Sequence, residues 1–297
     1  MENLLERLPS GSRISIIRLR SLGDCVLTTP AVSLLKSHRP DLKITIVVEP
    51  RFSAVFEDNS DIDEIRAGAA RCDLVLNLHG GTRSMILTVA SRARFRAGFA
   101  HHRYSFVYSH RIPTAQEILG VQRKVHTAEH LASAMFWLGV PRSAIPRAKV
   151  SAGPRPDLRQ YAVIHPFASA AEKTWPAERF LELARRLRET CCSELVFLAG
   201  PDDDSSAFSQ YSVWRNAPLS DVKSLISGAH LFIGNDSGPA HIAAAFGVPV
   251  VVLFGASDPA IWGPWQSDSK VLTAPSGIRG ISLEDAVAAV DALKVRA

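Results

Sequence analysis

Apolar residues fall along this chain in two alternating textures. Short, almost continuous runs rich in β-branched residues are followed by longer segments with apolar positions three and four apart. Ile14–Leu19, Lys43–Val48 and Asp73–Leu78 read as buried strands. Val26–His38, Arg51–Glu57, Thr82–Ser91 and Val125–Leu138 read as helices, the last ended by Gly139, and Arg94–Phe99 as extended chain. Pro30 falls near the start of its helix, where a missing N–H is tolerated. The texture then breaks at Pro141, Pro146, Pro154 and Pro156, which predict a linker. The alternation restarts beyond it. Tyr161–Ile164, Glu194–Leu198, His230–Ile233 and Pro249–Phe254 read as strands. Pro176–Glu189, Leu219–Ser227, Ser237–Phe246 and Ser282–Val295 read as helices.

Strands alternating with helices predict parallel sheets covered on both faces. Two such stretches predict two doubly wound, Rossmann-like α/β domains facing a central cleft, one over residues 1–150 and one over 157–281. A length of 297 residues agrees with two cores. Ligands of such sheets sit beyond the C-terminal strand ends, so the loops after strands are where chemistry is expected.

Composition narrows the classes. Hydrophobic residues make up 46% and charged residues 21%, and no run approaches the roughly 20 apolar residues of a membrane span. The first ten residues carry Glu2, Glu6 and Arg7 and do not read as a secretion signal, so the expected compartment is the cytoplasm. Cys25, Cys72, Cys191 and Cys192 form no C-x-x-C pair and read as packing residues; neither a zinc site nor a catalytic thiol is expected. The net charge of +5 is unevenly placed. From Leu74 to Gln116 there is no acidic residue, while Arg83, Arg92, Arg94, Arg96, Arg103 and Arg111 occur there with His101, His102 and His110. Such a region attracts nucleic acid, a phospholipid surface or an acidic glycan, and a plain solvated basic face explains it equally well. Phe95, Phe99, Tyr104, Phe106 and Tyr108, interleaved with it, read as strand and core residues, and no nucleic-acid motif accompanies them.

Five loops carry candidate chemistry. In Arg20-Ser-Leu-Gly-Asp24, between the first strand and helix, Asp24 projects from the loop as a general base, or merely caps the helix. In Asn235-Asp-Ser-Gly-Pro-Ala-His241, Ser237 and Gly238 open a helix whose free N–H groups suit a diphosphate. Asp236 either caps that helix or receives sugar hydroxyls, and His241 lies one turn in, as a core histidine or a phosphate contact. In His165 to Pro176, Ser169 offers a hydroxyl and Lys173 a cation for a leaving diphosphate. In His79-Gly-Gly-Thr-Arg-Ser84, Gly80 and Gly81 permit close approach and Arg83 suits an anionic acceptor. In Gly255-Ala-Ser-Asp-Pro259, Asp258 makes a turn. No G-x-G-x-x-G follows a strand, which leaves a nicotinamide oxidoreductase without support.

Taken in order, these motifs resemble glycosyltransferase family 9, the lipopolysaccharide heptosyltransferases. The resemblance rests on Ile17-Arg-Leu-Arg-Ser-Leu-Gly-Asp24 with Thr28-Thr-Pro30, on Asp73–Ser84, on Val125–Val140, on His165–Leu183, and above all on Gly234-Asn-Asp-Ser-Gly238, His241, Gly247-Val-Pro249, Phe254-Gly255 and Asp258-Pro259. It implies the GT-B fold, with nucleotide on the C-terminal half and acceptor on the N-terminal half. It further implies that the last helix, 282–297, packs back on the first domain. The implied reaction is inversion at the anomeric carbon without a metal or other cofactor. The usual donor is ADP-heptose and the acceptor a lipid-linked, anionic core glycan, reached by an enzyme in peripheral contact with the inner membrane.

By the same resemblance Asp24 is the catalytic base. Ser169, Lys173, Asp236, Ser237, Gly238 and His241 hold the donor, and Asp202 stands near the place of a ribose-binding Glu. Arg20, His79 and Arg83 are assigned to the acceptor. Departures at Ala168, Pro239 and Asp202 leave the nucleotide and sugar open. A nucleotide-sugar epimerase and a non-catalytic nucleotide- or glycan-binding module are the rival readings.

Overall fold

The computed structural model describes residues 3–158, 160–190 and 194–293. The chain divides into two units, Met1–Ser151 and Ala152–Ala297. In the first, strands β1 (Arg13–Ile17), β2 (Lys43–Val47), β3 (Glu64–Arg66), β4 (Leu74–Asn77), β5 (Phe95–Phe99) and β6 (His110–Ile112) pair in the order β3-β2-β1-β4-β5-β6. In the second, β7 (Tyr161–His165), β8 (Glu194–Ala199), β9 (Ser212–Arg215), β10 (Leu231–Asn235), β11 (Val250–Leu253) and β12 (Ser269–Leu272) pair as β12-β11-β10-β7-β8-β9. Numbered within each unit, both orders are 3-2-1-4-5-6, the doubly wound order with its switch point between strands 1 and 4. All pairings are parallel.

The central strands are mostly apolar because both of their faces are covered. Ile14 and Ile16 sit opposite Leu74 and Leu76 in register, all wholly buried. The helices of the first unit are α1 (Leu22–His38), α2 (Thr82–Ala90), α3 (Ala115–Leu119) and α4 (Thr127–Leu138), and α4 packs along α1. Those of the second are α5 (Ala177–Thr190), α6 (Leu219–Ser227), α7 (Gly238–Phe246), α8 (Pro259–Trp262) and α9 (Leu283–Ala292). From α5, Phe180, Leu183, Ala184 and Leu187 share one buried cluster with Ala286, Ala289 and Val290 of α9. Both sets follow the spacing of a helix stripe. The described residues of α9 cover the second unit's own sheet, against α5, β11 and β12. Residues 294–297 of the expected last helix, and Cys191 and Cys192, lie outside the described residues.

Two corrections concern α1. It begins four residues earlier than the periodicity indicates, so Pro30 sits in its interior and Asp24 in its first turn rather than on a free loop. A proline here removes the N–H that would reach the carbonyl of Val26. The Thr29 hydroxyl donates to that same carbonyl at 2.8 Å, which leaves no acceptor orphaned. In the linker, Lys149 is held to the first unit: its amide donates to Thr29 Oγ1 (2.8 Å) and its ammonium pairs with Asp61 (2.8 Å).

Candidate active site

At the C-terminal end of the first sheet, β1 runs into Arg18, a buried cation at the end of an apolar strand. Burying a guanidinium alone is costly, and pairing offsets the cost. Arg18 is paired twice: Nη1 donates to the carbonyl of Leu78 (2.5 Å) and Nη2 forms an ion pair with Asp24 Oδ1. The other carboxylate oxygen of Asp24 accepts from the amide (3.2 Å) and hydroxyl (3.1 Å) of Ser21, the reciprocal capping box of α1. Asp24 therefore caps its helix and is also clamped by a buried arginine. Its two oxygens are fixed by groups from β1 and from the turn, so its orientation is set before any substrate arrives.

Next to this pair the β4 exit is built on Asn77. Its buried amide donates to Thr88 Oγ1 (3.0 Å), and its carbonyl accepts from the amides of His79 and Gly80 (both 3.0 Å). Gly80 has φ +82°, and a Cβ there would meet the His102 ring at 2.6 Å. Only glycine fits both demands. His79, half-buried, has its pKa pushed below the ordinary imidazole value, first by burial and then by Arg18 and Arg20. Burial likewise lowers His102 and His130 to about 4. His130 stacks on Phe99 at 4.1 Å between ring centres, and His102 Nδ1 lies 3.0 Å from the Tyr108 hydroxyl. Arg20 is exposed, and Arg83, also exposed, reaches Glu49 Oε1 at 3.4 Å. The strand end that carries Asp24 is thus lined by arginine and imidazole. Cys25, beside it, is buried with its thiol pushed up to about 12 by burial, as a packing residue should be.

The second sheet ends differently. Asn235, the last residue of β10, is buried and ties two loops together. Its carbonyl accepts from the Trp175 amide (3.1 Å) and its amide donates to the Pro166 carbonyl (2.8 Å). The loop between β7 and α5 is thereby held against the β10 exit, and Lys173 comes to lie with Nζ 3.7 Å from Asp236 Oδ2. Gly255, after β11, permits the approach. A Cβ on it would come within 2.0 Å of the Glu172 carbonyl oxygen and 3.2 Å of Lys173 Cα. Ser237 is the N-cap of α7 and Gly238 its first residue. The Ser237 hydroxyl and the Ser257 hydroxyl beyond β11 are buried without a hydrogen-bond partner. Buried hydroxyls in proteins are nearly always satisfied, so these two are donors in search of an acceptor. His241 is buried within the first turn of α7.

Of the remaining predicted residues, Ser169 is exposed on the Lys173 loop and Asp202 is exposed beyond β8. The neighbours of Asp202 make the local turn instead: Asp203 accepts from the Gly200 amide (2.7 Å) and Asp204 from the Ser206 amide (3.0 Å). Asp258 caps α8 through the Ala260 amide (2.9 Å), the turn role expected of it. Among the described residues no cluster of three or more His, Cys, Asp or Glu side chains is placed to hold a metal ion.

The arrangement brings Asp24 near His79 on one unit, and Lys173, Asp236 and Ser237 together on the other. Sequence reasoning passed over Arg18, the residue that fixes Asp24. The available signal was a cation closing a continuous apolar strand, with Asp24 the first carboxylate to follow it.

A family model described as glycosyltransferase family 9 (heptosyltransferase) matches residues 65–278. Lipopolysaccharide heptosyltransferase 3 of Escherichia coli is 28% identical over 84% of this chain and 85% of its own. The crystal structure of a family 9 glycosyltransferase from Veillonella parvula superposes with a TM-score of 0.85 at 24% identity, covering 96% of this chain and 97% of that one. E. coli heptosyltransferase WaaC with ADP does so at 0.78 and 18%, covering 95% and 99%. The likeness to these structures shows the fold, two Rossmann-like domains of the GT-B type.

Proposed function

The chain belongs to glycosyltransferase family 9 and is a glycosyltransferase, and from that premise we propose that it moves a heptose from ADP-heptose onto a lipopolysaccharide core or related surface glycan, with inversion and without a metal. The observation that carries this reading is the clamped carboxylate of Asp24 on one sheet end, matched on the other by Lys173 and the start of α7. An acceptor hydroxyl attacks the anomeric carbon while Asp24 takes its proton. Of the roughly four lone-pair sites of a carboxylate, Ser21 takes two on Oδ2 and Arg18 one on Oδ1. The bond from the anomeric carbon to the diphosphate breaks, and its electron pair leaves on ADP. Lys173, Ser169, the Ser237 hydroxyl and the amide of Gly238 neutralise that charge, a task suited to a fixed cation and a helix N-terminus. Asp236 positions Lys173 and receives donor hydroxyls, His241 backs the phosphate site, and Asp202 is the ribose contact. Arg20, His79 and Arg83 bind an anionic, lipid-linked acceptor, and the enzyme works on the cytoplasmic face of the inner membrane in peripheral contact with it. Nucleic acid is not a partner.

Two kinds of support meet here. Lipopolysaccharide heptosyltransferases are among the chains similar to this one, and the orphaned hydroxyls of Ser237 and Ser257 suit phosphate oxygens. The test is thermal stabilisation by a panel of nucleoside diphosphates and nucleotide sugars. Stabilisation by ADP, and more by ADP-heptose, is expected. Selectivity for UDP or GDP would replace the donor, and turnover of donor with no acceptor would favour an epimerase. Stabilisation by none of them would overturn the donor site.

A further inference from the structure

Helix α2 packs Leu87 against the cluster of Ile17, Leu19, Val47 and Val75, and otherwise turns hydroxyl residues inward and aliphatic ones outward. Its buried positions are Ser84 and Thr88, followed by buried Ser91, while Ile86 and Val89 on the outer face are 57% and 53% exposed. The inner hydroxyls are all satisfied. Ser84 Oγ donates to the Gly81 carbonyl (2.8 Å), Thr88 Oγ1 to the Ser84 carbonyl (2.7 Å) and Ser91 Oγ to the Thr88 carbonyl (2.6 Å). The fold thus accounts for the polar inner face and gives no use to the apolar outer one. Beside α2 lies the short 3-10 turn Ser105–Val107, whose Phe106 is 69% exposed. Phe106 departs from the expectation that the aromatics of this stretch are core; Phe95, Phe99 and Tyr108 meet it. A contact of 2.9 Å between Thr82 Oγ1 and the Tyr104 hydroxyl ties α2 to that turn. Ile86, Val89 and Phe106 are the large aliphatic and aromatic side chains this region leaves in solvent.

The same surface is cationic. Arg83 opens α2 and Arg92 follows it, both exposed. Arg103 lies over the Tyr104 ring (5.4 Å), and Arg111 Nε donates to the Ser105 carbonyl (3.2 Å), which fixes two more guanidinium groups at the Phe106 turn. No acidic residue occurs from 74 to 116; the carboxylates near these arginines are Glu49, from the β2 exit, against Arg83, and Asp73, which shares a cleft with Arg92. Apolar side chains that can enter a hydrocarbon boundary, fringed by arginine, match an anionic bilayer surface. Nucleic acid recognition would use the arginines and leave Ile86 and Val89 without a role.

We propose that α2 and the Ser105–Val107 turn form a membrane-docking face, in which Ile86, Val89 and Phe106 enter the headgroup boundary and Arg92, Arg103 and Arg111 hold anionic lipid. This rests on the peripheral placement proposed above and not on the transfer chemistry. The test is cosedimentation of the full chain with vesicles of phosphatidylglycerol and phosphatidylethanolamine, against phosphatidylcholine. Wild type binds the anionic vesicles selectively. Ile86→Ser/Val89→Ser/Phe106→Ser weakens that binding by on the order of tenfold or more. Arg103→Gln/Arg111→Gln does so by roughly tenfold and removes most of the salt dependence. Thermal stabilisation by ADP stays as in wild type for both variants, which separates this proposal from the donor site. Failure of wild type to bind anionic vesicles, as for a face that receives a protein, or a triple variant that binds like wild type, would overturn it.

Discussion

The two sheets share one strand order, and each ends its fourth strand in a buried asparagine, Asn77 or Asn235. What they build from it differs. Asn77 spends its carbonyl on the backbone amides of His79 and Gly80 and shapes a tight left-handed turn under an imidazole. Asn235 spends its side chain on a different loop and pulls Lys173 across to Asp236. One exit presents a clamped carboxylate among arginines and histidines. The other presents a lysine, unpartnered hydroxyls and a helix start. On the proposed reading, the same architecture supplies a proton acceptor in one unit and an anion cradle in the other. The difference lies in loop residues rather than in the sheets.

The sharpest break of this comparison is Asp24→Asn. Loss of the general base lowers kcat by roughly 10²–10⁴-fold, with ADP binding unchanged by calorimetry. On the other unit Lys173→Met removes the fixed cation from the leaving group. A fall in kcat of roughly 10²–10³-fold is expected, here accompanied by weaker ADP binding. Arg18→Met tests the clamp itself. It leaves Asp24 without its buried partner, and destabilisation of about 3–5 kcal/mol is the usual cost, read by denaturant unfolding. Gly255→Ala drives a methyl against the Glu172 carbonyl and should raise the donor KM while sparing acceptor KM.

The last effect is one of pH. His102 and His130 are held by burial near 4, below the ordinary 6.5. The unfolded chain then binds more protons between these values, so stability is full above about 6.5 and is lost as pH falls toward 4. Melting temperature should drop across that window, and His130→Gln should flatten the drop. A Tm that rises on acidification would contradict the buried, neutral assignment.

How much of this was legible depended on burial. The interior strands other than β5 showed as largely apolar runs, and Phe95–Phe99, with Arg96 inside it, showed only as extended chain. The four strands that sequence reading missed, β3, β6, β9 and β12, are the four sheet edges. They are three or four residues long and half-exposed, and their neighbours rather than their composition make them strands. Among site residues, those marked by glycine, proline or a loop charge were visible: Asp24, Lys173, Asp236 and Ser237. Arg18 and Asn77 were not, because a polar residue inside an apolar run reads as noise until its partner is seen in space. The outward placing of Ile86 and Val89 on α2 was hidden for the opposite reason. Its apolar period is a good helix signal, and sequence gives no sign of which side faces the sheet.

The most direct test of the central claim is single-turnover transfer from ADP-heptose by Asp24→Asn, with ADP affinity measured on the same folded sample. The account predicts wild-type ADP affinity and a transfer rate reduced at least roughly 100-fold. Normal transfer by that variant would show that Asp24 only caps its helix, and the proton would have to leave by another route.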